Sequence, residues 1–351
     1  MIALTCQRLR LKKRVPLAIS RGTQSESQMV WLRLSADGTE GWGEAGEFSV
    51  GSIQETLQDI ETGLEAARAR LEQADPFARE SIEDSLVLAC PSSAARAAIN
   101  QALWDWFGRR TGQPVWKLLG LSPAESPVTS VTLGIMSPEA AVKRLEQWLE
   151  VGEIRAFKVK LGSPDGIKAD QQMFEAVHAA LPTGTQVSVD ANGGWQPDEA
   201  ISMSAWLADR GVDHVEQPLA RGRERELQFV HKRSALPIIV DESCFTSRDI
   251  PALAGVADGI NIKLMKCGGI SEAIRMIHAA RAHGLQTMLG CYGNSSLSNS
   301  AAAHLGPLVD HLDLDSHLNL SDDPFTGVRF AHGRLELPDE PGFGVRHDSA
   351  H

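Results

Sequence analysis

"AFKVKLG", residues 156–162, sets two lysines two apart in a run that is otherwise apolar and partly β-branched. A strand alternates its faces, so Lys158 and Lys160 share one side while Phe157, Val159 and Leu161 share the other. Alone, such a pair marks a solvated face or a protected sheet edge. Its neighbours in the chain argue for something else. From residue 125 onward short apolar runs recur: "VTSVTLGI", "AFKVKLG", "QVSVDANG", "DHVEQPL", "PIIVDES", "GINIKLMK", "QTMLG" and "HLDLD". Amphipathic stretches such as "MFEAVHAAL" and "ISEAIRMIHAARAHG" lie between most of them.

Counted from Lys160, the polar residues at successive strand ends fall at Asp190, Glu216, Asp241, Lys263, Gly290 and Asp313, in steps of 30, 26, 25, 22, 27 and 23 residues. Eight strands alternating with helices at this spacing predict an α/β fold, a parallel β/α barrel over residues 121–321. A doubly wound open sheet is the alternative. It is disfavoured because no glycine-rich phosphate turn follows any strand, and "CGGIS" after Lys266 does not fit GxGxxG. Residues 1–120 have another character. "MIALTCQRLRL" and "QMVWLRLSADGTEGWGEAGE" read as antiparallel strands turning around Asp37-Gly38, and "SIQETLQDIETGLEAARARLEQ" and "SAARAAINQALWDWFGRR" as helices. This is a small α+β region.

Composition narrows the functions. Of 351 residues 42% are hydrophobic and 23% charged, enough apolar material for a large core. A net charge of −11 argues against nucleic acid or an anionic membrane as partner. No run approaches the roughly 18 apolar residues of a membrane helix. The apolar stretch after "RLRLKKR" is too short for a signal peptide. Five widely spaced cysteines without CxxC argue against disulfides or a zinc knuckle, so a reducing, cytoplasmic setting is expected.

Chemistry in a β/α barrel sits at the C-terminal strand ends. Here the second strand ends in Lys158 and Lys160, the third in Asp190 with Asn192 beyond it, and the fourth in Glu216. The fifth ends in Asp241 with Glu242 beside it, the sixth carries Lys263, and the eighth carries Asp313 and Asp315. A single acid at a strand end is usually a cap or loop residue. Three carboxylates on consecutive strands would repel unless a cation sat among them, and oxygen donors without His or Cys select a hard ion, Mg²⁺. The second and sixth strands lie opposite in a ring of eight, so a substrate carbon between them meets Lys160 on one face and Lys263 on the other. A carbon acid beside a carboxylate is very weak, and a divalent ion on its oxygens would stabilise the enediolate. The base must be neutral lysine, and the neighbouring cation Lys158 is expected to favour that form.

The motifs "KVK", "DAN", "VEQP", "DES", "NIKLMKCGGI" and "PGFGV" together resemble the enolase superfamily, muconate lactonizing enzyme subgroup, over essentially the whole chain. The resemblance implies a modified (β/α)7β TIM-like barrel under an α+β capping domain, residues 1–120 completed by the tail, about 322–351. It also implies Mg²⁺ ligands at Asp190, Glu216 and Asp241, an acid/base pair at Lys160 and Lys263, and a supporting Lys158. Lys266 is expected to point away from the site of Lys263. Within the subgroup, "DLD" at 313–315 resembles the DxD signature of dipeptide epimerases, which holds the α-ammonium of a dipeptide. "ISRGTQSE" resembles the mobile cap loop of L-Ala-D/L-Glu epimerases, where Arg21 would pair with an acidic side chain. Asn192 and Glu242 are supporting residues. After the seventh strand, where many subgroup members carry Glu, the chain has Asn294, and the second cap loop has no charge between Glu47 and Glu55.

The expected activity is therefore an Mg²⁺-dependent, two-base inversion of the C-terminal α-carbon of a dipeptide, L-Ala-L-Glu and its epimer being favoured substrates from peptidoglycan peptides. Cycloisomerisation, o-succinylbenzoate synthesis and N-acylamino acid racemisation are rivals that give no reason for the aspartate pair. A non-catalytic metal-binding homologue gives none for a lysine on each face. A homo-oligomer is compatible with the sequence, which does not specify one.

Overall fold

The computed structural model describes residues 1–348. Three antiparallel strands open the chain, β1 (Ala3–Ile19), β2 (Gly22–Ala36) and β3 (Thr39–Gly46), in that order across the sheet. The first two form one long hairpin whose register shifts between Lys12 and Leu17. The "ISRGTQSE" stretch, expected as a loop, is therefore largely paired, with only Ser20 and Arg21 in the turn. Its polar residues give no strand signal, and the partner strand imposes the pairing. A short hairpin, β4 (Phe48–Val50) and β5 (Ile53–Glu55), follows.

Three helices cover the sheet, α1 (Leu57–Glu72), α2 (Arg79–Ala89) and α3 (Ser93–Thr111). α1 starts with a reciprocal cap between Thr56 and Asp59. α3 starts on the Ser92 hydroxyl and stops at Gly112, whose φ of 69° suits glycine. Its small residues bring it against β3. A Cβ on Gly41 would lie 2.1 Å from the Ala102 carbonyl oxygen, and one on Gly43 would lie 2.0 Å from that of Ala98. Strand and helix backbones thus touch with no side chain between them.

Eight parallel strands follow: β6 (Val131–Leu133), β7 (Ala156–Lys160), β8 (Gln186–Asp190), β9 (Val215–Glu216), β10 (Ile238–Val240), β11 (Gly259–Ile262), β12 (Gln286–Gly290) and β13 (His311–Asp313). Each pairs with the next in sequence, and a parallel bridge between Thr129 and Leu312 joins the last to the first. A doubly wound sheet would reverse its strand order partway; this one closes as a barrel. Helices or helical turns follow the first seven strands, and only a 3₁₀ turn, Ser316–Asn319, follows the eighth. Outward residues such as Phe157, Val159 and Leu161 are buried under the helices.

In the tail, Phe325–Thr326 pairs with Arg346–His347. Phe325 meets Trp31 edge-on at 5.2 Å, and the Phe343 amide donates to Asp105 of α3 at 2.8 Å. Residues 349–351 of the expected tail lie outside the described residues. Among the described residues no helix is long and apolar enough to cross a membrane.

Candidate active site

Both lysines of the opening stretch point into the barrel and are almost fully buried, at 2% and 6% exposure. Register pairs Lys160 with Asp190, and Asp190 with Glu216, so one layer of the interior collects their side chains. Lys160 Nζ donates to Asp190 Oδ2 at 2.5 Å. Lys158 Nζ donates to Glu216 Oε2 at 3.2 Å and also to Asp313, the fourth and eighth strands each lying two places from its own in the ring. Across the mouth, Lys263 Nζ donates to Asp241 Oδ2 at 2.8 Å. Lys160 and Lys263 thus rise from the second and sixth strands, four apart in the ring.

Lys266 departs from expectation. Its Nζ donates to Asp241 Oδ1 at 2.7 Å and to the Asn261 carbonyl at 3.0 Å, so it faces the same carboxylate as Lys263. Leu264–Cys267 is a single helical turn, and residues three apart on a helix are neighbours.

Two loop residues with φ above zero hold the carboxylates. Asn192, at φ 43°, donates its amide N–H to Asp190 Oδ1 at 2.7 Å and its side-chain NH₂ to Asp190 Oδ2 at 2.9 Å. Gln217, at φ 34°, accepts from the Asp241 amide at 2.9 Å through its side-chain oxygen. It also donates to Ser243 Oγ at 3.0 Å, joining the loops after the fourth and fifth strands, and to the Leu219 carbonyl at 2.7 Å within its own loop. Strained backbone of this kind persists where neighbours over-determine it. Asn261 Nδ2 donates to Glu216 Oε1 at 2.7 Å.

Burial and then the charge of Glu216 push the Asp190 carboxyl up to about 6, against Lys160 and Lys158. Burial acts the same way on Asp241, but Lys263 and Lys266 outweigh it and hold that carboxyl far below the usual range. Lys158 is pulled down by burial and carried well above its ordinary value by Asp313 and Glu216. On the eighth strand burial opposes Lys158 at Asp313, which ends low, while burial and Asp313 together push Asp315 up to about 6. Asp313 is already engaged by Lys158 and by Ser130 Oγ at 2.6 Å, whereas Asp315 accepts from the Thr132 amide at 2.7 Å.

Among the described residues no three His, Cys, Asp or Glu side chains are arranged to grip a metal ion as they stand, because each carboxylate is turned toward a lysine. Their chemistry nevertheless fits a hard divalent cation. Asp190, Glu216 and Asp241 are fully or nearly fully buried oxygen donors on consecutive strands, and the repulsion that raises Asp190 is what a cation would relieve. Glu242 Oε2 and Asn192 Oδ1, close by, are buried with no partner.

The cap closes a cavity of about 480 Å³ over these groups, lined below by Lys158, Lys160, Lys263, Asp313 and Asp315. Leu17, Ile19, Arg21, Met29 and Phe48 line it from above. Arg21 Nη1 donates to Glu242 Oε1 at 2.6 Å and to the Asn192 carbonyl at 3.0 Å, so its charge is already matched within the chain. Tyr292, which no strand or helix pattern singles out, stacks its ring on Phe48, and the ring centre lies 4.5 Å from Lys263 Nζ. Asn261 carries a signal in the sequence, since a polar residue two before Lys263 shares its face. Glu44 of β3 accepts from Asn294 Nδ2 at 3.0 Å and from the Ser295 amide at 3.1 Å, linking the cap to the seventh-strand loop.

Residues 1–120 match the mandelate racemase/muconate lactonizing enzyme N-terminal domain, and residues 140–351 the enolase C-terminal domain-like model. A hydrophobic dipeptide epimerase of Flavobacteria bacterium (strain MS024-2A) is 43% identical over 349 residues, covering 97% of each chain. The substrate-liganded L-Ala-D/L-Glu epimerase of Bacillus subtilis superposes with a TM-score of 0.92 at 29% identity, over 98% of each chain. The dipeptide epimerase of Enterococcus faecalis V583, complexed with Mg and L-Leu-L-Tyr, gives 0.91 at 30% identity, over 98% of this chain and 99% of that one. The chain belongs to the mandelate racemase/muconate lactonizing enzyme family of the enolase superfamily.

Proposed function

We propose that this protein is an Mg²⁺-dependent dipeptide epimerase that inverts the α-carbon of the C-terminal residue, and that it prefers a hydrophobic residue there. The observation that carries the reading is the arrangement of one barrel mouth. Lysines rise on opposite walls, a carboxylate triad stands on one side between them, and an aspartate pair stands on the other. Mg²⁺, held by Asp190, Glu216 and Asp241, would neutralise the charge that builds on the substrate carboxylate. Asp315, whose charge no lysine matches, receives the N-terminal ammonium with Asp313 beside it. The α-carbon then lies between Lys160 and Lys263. One of them removes the α-proton, and the other returns a proton to the opposite face. Lys158, set between Glu216 and Asp313, fixes both ends of the site relative to the bases.

The apolar preference rests on the cap lining of Leu17, Ile19, Met29 and Phe48, and on Glu242 already pairing Arg21. A second reading, L-Ala-L-Glu taken from peptidoglycan peptides, is favoured by the position of Arg21 on the cavity wall, where release from Glu242 would free it for a side-chain carboxylate. A reducing cytoplasm suits either, given the five free cysteines. Incubation with Mg²⁺ in D₂O and a panel of L,L-dipeptides separates them. Deuterium gain and L,D product from L-Ala-L-Leu and L-Ala-L-Phe ahead of L-Ala-L-Glu support the first reading, and the reverse order supports the second. Exchange in no dipeptide would sink both, as would full activity after chelation of the metal.

A further inference from the structure

Lys13 lies on β1 between two outward-facing residues, Lys12 and Arg14, and shares the inward face of the strand with Leu11. Its backbone bridges Leu320, just past the turn that follows Asp315, so the residue sits over the eighth-strand side of the barrel mouth. Its side chain lines the active-site cavity together with Cys291, Gly293, Asp315 and Ser316. Among the described residues Lys13 forms no ion pair. Its one side-chain hydrogen bond is from Nζ to Ser27 Oγ at 3.0 Å. The acidic groups acting on it are the Cys291 thiol, which burial keeps protonated, and the Glu26 carboxylate, which is engaged by Arg10 and Gln28. The opposing loop makes room for the pair: a Cβ on Gly293 would lie 1.9 Å from Ser27 Oγ and 3.2 Å from Lys13 Nζ.

A half-buried cation without a counter-ion, facing a substrate cavity, is costly unless the substrate supplies the anion. Burial already weighs against its charge and lowers its pKa. The place it commands is set by the site geometry. The substrate carboxylate goes to the triad on the third to fifth strands and the ammonium to the aspartates of the eighth. The side chain nearest the seventh and eighth strands is therefore that of the N-terminal residue. We propose that Lys13 is the specificity-determining residue for that side chain and selects an acidic one, aspartyl or glutamyl, by pairing with its carboxylate. This rests on the dipeptide reading above and says which dipeptides.

The test compares kcat/KM for L-Asp-L-Leu, its neutral isostere L-Asn-L-Leu, L-Ala-L-Leu and L-Ala-L-Glu, in the wild-type protein and in Lys13→Met and Lys13→Glu. A charge-assisted hydrogen bond in a partly dry cavity corresponds to about tenfold. The wild type should favour L-Asp-L-Leu over L-Asn-L-Leu by about that factor, a comparison that needs no folded variant. The ratio should fall to about one in Lys13→Met and below one in Lys13→Glu. Equal rates for the aspartyl and asparaginyl substrates in the wild type, with L-Ala-L-Leu turned over, would overturn this inference and leave the epimerase reading standing. So would a Lys13→Met loss confined to L-Ala-L-Glu, which would place the lysine at the other residue. No turnover of any dipeptide would overturn both.

Discussion

Burial raises the Glu44 carboxyl from its ordinary 4.5 to about 7, against the hydrogen bonds it accepts from Ser295 and Asn294. Between those values the folded chain keeps a proton that the unfolded chain has released. The stabilisation is therefore complete below pH 4.5 and is lost as pH climbs through 7. The shift corresponds to about 3 kcal/mol. Glu44→Gln keeps a donor and an acceptor at the site. Its unfolding free energy should lack this fall between pH 4.5 and 7, as urea titrations at several pH values would show. A parallel fall in both proteins would refute the assignment. At the two lysines proposed as the acid/base pair, Lys160→Met and Lys263→Met should each lower epimerisation by about 10³-fold. In D₂O each variant should still wash out the α-proton of one epimer only, the two variants choosing opposite epimers. Loss of exchange from both epimers in each variant would contradict a two-base site. The sequence made these lysines legible because a period of two along each strand exposes which residues share the interior face. Lys13 was not legible in this way, since a cation in a basic run "RLKKR" reads as solvated until the strand's inward face is known.

Among the elements, the loop after the fourth strand holds two of the proposed metal ligands from outside them. Gln217 touches no catalytic group, yet its left-handed backbone and its bond to the Asp241 amide couple the Glu216 and Asp241 strands. Gln217→Ala should weaken Mg²⁺ binding about tenfold, the lower end for outer partners of metal ligands. Calorimetric titration with Mg²⁺ checks it, and unchanged affinity would show that the loops are set elsewhere. The strand-to-loop positions of Asp190, Glu216, Asp241 and Lys263 were readable because each closes an apolar run. The orientation of Lys266 was not, because a single helical turn after Lys263 carries no periodicity from which to count. The β1–β2 hairpin escaped for a related reason: "TQSES" is polar on both faces, and its pairing depends on β1.

Across the whole molecule, the barrel was legible and the docking of the cap was not. Eight apolar runs at near-constant spacing give alternating parallel strands and helices through local rules, and the absence of a glycine-rich turn favours the closed barrel over the open sheet. The cap is positioned by contacts between residues far apart in sequence, Glu44 with Ser295 and Arg21 with Glu242, which no window of sequence contains. Gly41 and Gly43 belong to this level too. Gly43→Ala should destabilise the protein by about 3 kcal/mol, since the added methyl meets helix backbone that cannot turn aside. Thermal unfolding measures it, and an unchanged midpoint would mean that β3 and α3 can separate at little cost.

That glycine contact also bears on how the molecule comes apart. With no side chain between β3 and α3 there is nothing to rearrange, so neither can loosen alone. Glu44, three residues from Gly41, fastens the same strand to Ser295. Amide protons of α3, β3 and the helix starting at Ser296 should therefore exchange with solvent at one common rate. Segments some two hundred residues apart in the chain would then open and close together as a single cooperative unit.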